Sequence, residues 1–220
     1  VQGGTATIRD IDSMLRSVTT NQNERPRLVH RLDKDTSGIL IVGLTLDAAR
    51  FLHKAFRDRH VRKLYWAVIN GFPNPASGII DIPIIKSESG SGNHKREKVL
   101  PDYKNGKKAI TNYTTQETFS RLFSWVSMEP ITGRTHQLRV HTSVMGHPII
   151  GDLKYGGKSN NPEIHGMSNS LHLHAVAVRF PHPNGGVMVV DAPLPKHMAD
   201  SFRLLGFCIP KIIDFEKEFY

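Results

Sequence analysis

The chain has 220 residues, with 29 Lys and Arg against 20 Asp and Glu, a formal charge of +9 before any histidine titrates. With 39% hydrophobic and 22% charged residues it reads as a globular chain with ample core, in one large domain or two small ones. No apolar run approaches the ~18 residues of a membrane helix, no signal segment precedes the first charged stretch, and the single cysteine, Cys208, excludes an internal disulfide framework and a cysteine-based zinc site. The charge excess points to a polyanionic partner, most often nucleic acid, whose binding weakens as salt rises. A lone cysteine without a signal segment suits a reducing compartment, the cytoplasm or, in a eukaryote, the mitochondrial matrix.

Val1 to Thr5 reads as a loop. Ile11, Met14, Leu15 and Val18 then recur at helical spacing, with Asp10 or Asp12 placed to cap a short helix. A polar loop runs from Thr19 to Pro26, and the apolar residues 39–44 predict a buried strand. Thr45 is placed to cap a helix through about Arg59 that buries Ala48, Leu52, Ala55 and Phe56. From Val61 to Phe72 the period switches to two, with Leu64, Trp66 and Val68 on one face and Lys63, Tyr65 and Ala67 on the other.

Gly78 to Ile85 predicts another strand. Ser87 to Lys98 is poor in apolar residues and reads as a surface loop, or as a basic loop that orders on a nucleic-acid backbone; Lys104, Lys107 and Lys108 extend its positive region. Residues 109–119 and 122–131 read as a strand pair turning near Ser120 and Arg121. A helix capped by Thr135 ends at Gly146. After loop-like residues 148–157 and a polar insertion at 158–170, strands follow at Leu171 to Phe180 and Val187 to Val190. A last helix over Pro195 to Gly206 turns Met198, Phe202 and Leu205 inward. The tail 207–220 has no clear period. Hairpin-length links and irregular alternation predict an α+β fold with a largely antiparallel, mixed sheet and flanking helices.

Chemistry concentrates in three segments: His30 to Leu40, Lys63 to Gly71, and Gly133 to His141 running on through Gly146 to Gly156. Asp33 is either a structural ion-pair partner or a nucleophile. A carboxylate of ordinary acidity is already ionised at neutral pH, so a nucleophilic one needs a positive partner rather than a base. Arg134, just before a helix start, is the candidate partner. Tyr65 is either a half-buried core-edge tyrosine or a platform beneath an extruded base, with its hydroxyl available for proton transfer. Leu138 is either core or the apolar floor under such a base.

His136 and His141 are five apart, not the i, i+4 spacing of paired ligands, and His172 and His174 share a strand face without a third ligand. No metal is therefore expected. Neither GxGxxG nor GxxxxGK[ST] occurs, so no nucleotide cofactor is expected either.

The segments HRLDKDTSG, KLYWAVING and GRTHQLRVH, the last followed by GHPIIGDLKYG, stand in an order that resembles the RluA-type pseudouridine synthases. Leu171 to Ala175 and Ala192 to Pro195 resemble later segments of the same family. The resemblance covers residues 1 to 206 and implies the pseudouridine synthase catalytic fold over that range, followed by a C-terminal tail at 207–220.

It implies an RNA isomerase that converts specific uridines to pseudouridine without cofactor or metal and acts as a monomer. Asp33 would be the nucleophile, attacking either the sugar at C1′ or the base at C6. Arg134 would hold Asp33 and the phosphate side, and Tyr65 would stack on the base and take the C5 proton. Arg31 would fill the space left by the flipped uridine, and Leu138 would pack under the ring. Gln2-Gly3-Gly4 resembles a turn of the RluC-like branch, which tilts the expected substrate toward large-subunit rRNA, with tRNA the other RNA to consider. In that family a strand, and in the RluC-like branch an S4 module, precede the position of Val1. The competing reading is a catalytically inactive RNA- or ribosome-binding protein on the same fold, which has to account for an intact Asp33, Tyr65 and Arg134.

Overall fold

The computed structural model describes residues 11–15, 17–18, 24–89, 96–157, 164–215 and 217–219. The readings of Val1 to Thr5, of Gln2-Gly3-Gly4, of Asp10 as a cap, of residues 19–23, of the loop tip 90–95 and of residues 158–163 lie outside these. In chain order the elements are α1 (Ile11–Leu15), β1 (Arg27–Leu28), β2 (Ser37–Gly38), β3 (Val42–Gly43), α2 (Leu46–Arg57), β4 (Arg62–Asn70), β5 (Ser77–Asp81) and β6 (Ile84–Ser89). They continue with β7 (Arg96–Pro101), β8 (Ile110–Phe119), β9 (Phe123–Pro130), α3 (Gln137–Val144), β10 (Leu173–Pro181), β11 (Val187–Asp191) and α4 (Lys196–Leu205).

The sheet runs β11-β10-β4-β9-β8-β5 and is antiparallel throughout, except that β2 adds to β10 in parallel. It is therefore the mixed, largely antiparallel α+β sheet that the pattern predicts. β4 lies inside it, and its alternation divides the core in two. Leu64, Trp66 and Val68 pack with Phe123 and Trp125 beneath Met198, Phe202 and Leu205 of α4. On the opposite face Ala67 and Ile69 pack with Val126, Met128 and Leu173 beneath Leu138 of α3. The face carrying Lys63 and Tyr65 is thus covered at one end by α3 and left open at the other. A third cluster joins Ala49, Leu52 and Ala55 of α2 to Val29, Ile41, Val178 and Phe180.

Several elements differ from the sequence pattern for identifiable reasons. The apolar run 39–44 yields only the two-residue β3, because its amides go to three separate partners. Ile39 donates to Ala175 O, Ile41 to the His30 ring, and Val42 lies in the pairing of β3 with β1. Helix α2 starts where expected, with Thr45 Oγ1 accepting Ala48 N–H at 3.1 Å, but ends at Arg57 because Arg59 turns to φ 60°. Ala49 rather than Ala48 sits on its buried stripe.

The predicted strand over 78–85 is two strands, since Pro83 lacks the N–H a ladder needs. The segment read as a surface loop is a hairpin, β6 with β7, anchored by Ile84 and Val99 against Ala109 and Val140. Its low apolar content hid it, because backbone pairing rather than side-chain burial carries most of its length. The tail is part of the α4-side core: Phe207 and Phe215 are buried there, and the Glu218 carboxylate accepts from Trp66 Nε1 at 3.3 Å and from the Ser127 hydroxyl.

Two predictions follow from this packing. Gly38 has φ +111°, and a Cβ there would collide with the Ala175 backbone where β2 joins β10. Gly38→Ala is expected to cost at least about 2 kcal/mol, read as a lower urea midpoint, from strain and collision together. His172 is fully buried, and burial, followed by the neighbouring His197, pushes its pKa down to about 4. The folded state then binds fewer protons than the unfolded one, so this contribution to stability is complete above the ordinary value near 6.5 and is lost as pH falls toward 4. The melting temperature should drop across that window, and His172→Asn should flatten the slope. An unchanged slope in the variant would assign the acid sensitivity elsewhere.

Candidate active site

A cleft of about 550 Å³ opens at the uncovered end of the β4 face. It is lined by Arg31, Asp33, Tyr65, Arg134 and Leu138, and so brings together all five residues that the three sequence segments nominated. The segment 30–38 reaches the cleft by a series of local bonds. The His30 ring stacks on Phe56 of α2 at 4.6 Å and accepts the Ile41 N–H at 2.8 Å. Burial, followed by the charge of Lys63, pushes the His30 pKa down to about 4, so the ring stays neutral and can accept. Leu32 is buried, Thr36 N–H closes a turn onto Asp33 O at 3.1 Å, and Asp35 takes the positive φ of 68°. Pairing of Ser37 and Gly38 with β10 then fixes the end of the segment. The Asp33 side chain projects into the cleft, with Arg31 exposed at its edge.

Asp33 Oδ2 accepts the backbone N–H of His136 at 2.8 Å. His136 is the N-cap of α3, so the carboxylate meets the positive end of a helix and takes one of its unpaired amides. Two expectations are corrected here. Thr135 is not the cap: His136 occupies that position in a left-handed conformation (φ 53°) without capping through its own side chain, and Asp33 supplies the acceptor from across the fold. No ion pair joins Asp33 to Arg134. The Arg134 guanidinium is exposed, and its Nε donates to Lys108 O at 3.1 Å. It lies two residues ahead of the cap, where the loop carries it toward the Lys108 backbone, and the helix start itself provides the positive partner.

The second cation of the site is Lys63, which sequence reasoning placed on the Tyr65 face without giving it a role. Its pKa is lowered, chiefly by burial, against the attraction of Glu129 and Asp33. Glu129 is committed to Arg62 by a two-pronged pair at 2.7 and 3.1 Å. Tyr65 lies between the apolar core and the carboxylate. Burial first and the negative charge of Asp33 second push its pKa up, so the phenol is neutral in the free site. Leu138 is 6% exposed and serves both core and cleft floor.

The loop before α3 is pinned by Gln137, another residue without a role in the sequence reading. Its Oε1 accepts from Thr132 Oγ1 at 2.7 Å and Arg134 N–H at 3.1 Å, and its Nε2 donates to Ile110 O and Thr111 Oγ1 of β8. A glutamine at the first helical position, with Thr132, Arg134 and Thr135 just before it, was the available signal.

The histidines serve separate local partners. His141 lies between Thr111 Oγ1 and Ile82 O, His172 bonds Ser201 Oγ, and His174 bonds Ser37 Oγ. Among the described residues no group of three or more His, Cys, Asp or Glu is placed to hold a metal ion.

The arrangement offers one carboxylate with one oxygen held by an amide. Among the described residues its Oδ1 has no hydrogen-bond partner, and Asp33 lines the cleft. A neutral aromatic ring and an apolar floor stand beside it.

Comparison with known proteins points the same way. The dual-specificity RNA pseudouridine synthase RluA of Escherichia coli (strain K12) is 41% identical over 179 residues, covering 80% of this chain and 78% of that protein. The ribosomal large subunit pseudouridine synthase C of Pasteurella multocida is 38% identical over 181 residues, covering 81% of this chain and 53% of that protein. Relatives of both branches thus match at similar identity. The solved structure of human RNA pseudouridylate synthase domain containing 4 superposes with a TM-score of 0.71 at 28% identity, covering 91% of this chain and 82% of that one. The RNA pseudouridylate synthase family model matches residues 1–144, the range that holds Asp33, Tyr65 and the start of α3, and the chain belongs to that family.

Proposed function

We propose that the protein isomerises uridines in large-subunit rRNA to pseudouridine, with Asp33 as nucleophile. The observation that carries the reading is the convergence of Asp33, Tyr65 and Leu138 on one cleft from a turn, a strand and a helix that are remote in sequence. The relatives named for this reaction support the class, and the relative named for the large ribosomal subunit supports the substrate.

The reaction conserves all atoms. The bond between N1 and C1′ breaks, the uracil turns, C5 bonds to C1′, C5 loses its proton and N1 gains one. Asp33 bonds transiently to C1′ or to C6, through the oxygen that the His136 amide leaves open. Tyr65 stacks on the extruded base and Leu138 supports it from below. Exposed Arg31 stands at the cleft edge to fill the gap in the RNA stack, and exposed Arg134 is placed for the phosphate side. The raised pKa of Tyr65 disfavours it as a base in the free site. Once Asp33 forms a neutral covalent bond, one of the two causes of that shift is gone. Outside the cleft, Lys98, Lys104, Lys107 and Lys108 are exposed and available to phosphates.

Asp33→Asn should leave RNA binding within about twofold while abolishing pseudouridine formation, since the amide keeps the shape but not the nucleophile. The measurement is release of tritium from RNA labelled at uridine C5, compared on rRNA and tRNA transcripts. Turnover by Asp33→Asn would remove Asp33 from this role, and turnover on tRNA alone would remove rRNA as substrate. Affinity should fall with salt, by about 0.7 log units per decade of salt for each single-strand phosphate neutralised. Filter binding of the Lys107→Ala/Lys108→Ala double variant should show a slope shallower by about one to two such steps, and an unchanged slope would take these lysines off the RNA path.

A further inference from the structure

The atom that holds Asp33 belongs to a residue in an uncommon conformation. His136 has φ 53° and ψ 19°, which a non-glycine residue adopts readily only when its surroundings compel it. Its ring is not part of the cleft wall. Instead Nδ1 lies 2.7 Å from the Tyr155 hydroxyl, with the two rings edge to face at 5.5 Å.

The direction of this bond follows from the other contact of the phenol. Tyr155 Oη accepts the N–H of Val99 at 3.2 Å, which leaves its own proton for His136 Nδ1. A neutral ring is what such an acceptor needs, and burial, the largest influence on His136, lowers its pKa.

Tyr155 is itself closely fixed. Its backbone N–H bonds Asp152 Oδ1 at 3.1 Å, and its carbonyl accepts from Ser143 Oγ of α3 at 2.9 Å. Asp152 is 2% exposed and is clamped by Arg139 of α3 at 2.7 and 2.8 Å, and the Arg139 guanidinium lies 5.2 Å from the Tyr155 ring centre. The phenol is therefore a rigid post that meets β7 on one side and the cap of α3 on the other.

We propose that Tyr155, acting through the ring of His136, is a positioning residue that holds the His136 amide against the Asp33 carboxylate. It touches no reacting atom. Its effect is to keep the left-handed turn at the start of α3, and so to fix which carboxylate oxygen is bound and which is open. This inference rests on the reading of Asp33 as nucleophile, but its geometry can be tested apart from that reading.

Tyr155→Phe removes the hydroxyl and keeps the ring that packs beside Arg139. The expected result is a roughly tenfold lower kcat for pseudouridine formation, with KM for RNA and the melting temperature close to those of the unchanged protein. His136→Ala should lower kcat by a similar factor, and the double variant should be no worse than His136→Ala, because the two residues act in series. Hydrogen exchange of the His136 amide should speed up about tenfold in Tyr155→Phe. An unchanged kcat in Tyr155→Phe, a loss confined to KM, losses that multiply in the double variant, or an unchanged His136 amide would each overturn the proposal. If the unchanged protein forms no pseudouridine while the His136 amide still loses protection in Tyr155→Phe, the functional reading fails and the positioning geometry stands.

Discussion

One hydrogen bond, from the His136 amide to the Asp33 carboxylate, joins the two halves of the site, and much of the structure exists to place its two ends. A bond from an amide to a charged carboxylate is worth about 1.5–3 kcal/mol, enough to fix a side chain but far too little to assemble two segments separated by the rest of the sheet. Assembly comes from the strands. The segment carrying Asp33 is docked on β10 through Ser37 and Gly38, and the cap of α3 is tied to β8 through Gln137. Since β10 and β8 lie on either side of the β4–β9 pair, the width of two central strands sets the distance between Asp33 and α3.

The same sheet explains why the cleft opens where it does. β4 is apolar on both faces over Ala67 to Ile69, where α3 and α4 cover it, and carries Lys63 and Tyr65 toward its start, where the cleft opens beside Leu138. On the other face Phe202 of α4 and Phe207 of the tail pack with Trp66 of β4 and Trp125 of β9, and their edge and tilted contacts leave little freedom for β4 to shift. A strand held firmly on one face can present a precise, partly open surface on the other.

This division also accounts for what the sequence could and could not reveal. The alternation of Leu64, Trp66 and Val68 against Lys63, Tyr65 and Ala67 is a property of the strand itself, so it was legible before any packing was known. The end of α4 at Gly206, with φ 74°, was legible for the same local reason. The five residues were nominated through motifs, and they line one cleft. The partner of Asp33 was not. Charge patterns suggest side chains, so Arg134 was the natural candidate, whereas the actual donor is a backbone amide that every residue possesses and no composition reveals. Thr135 looked like a cap because local sequence shows local acceptors only, and the acceptor used comes from position 33. The β6–β7 hairpin was hidden because polar strands paired mainly through their backbones leave no apolar period to read.

The separate bonding of Arg134 and Asp33 bears on the chemistry. A guanidinium bound in two places would occupy both oxygens of Asp33. An amide holds one oxygen and leaves the other open, while the helix start adds partial positive charge without a second ion. Half-buried Lys63 is drawn toward both Asp33 and Glu129, and Arg139 and Lys154 feel the charge of Asp33 as well. These charges flank the carboxylate without closing a salt bridge onto it. The neutral phenol of Tyr65 completes the arrangement: burial and the charge of Asp33 both oppose its ionisation.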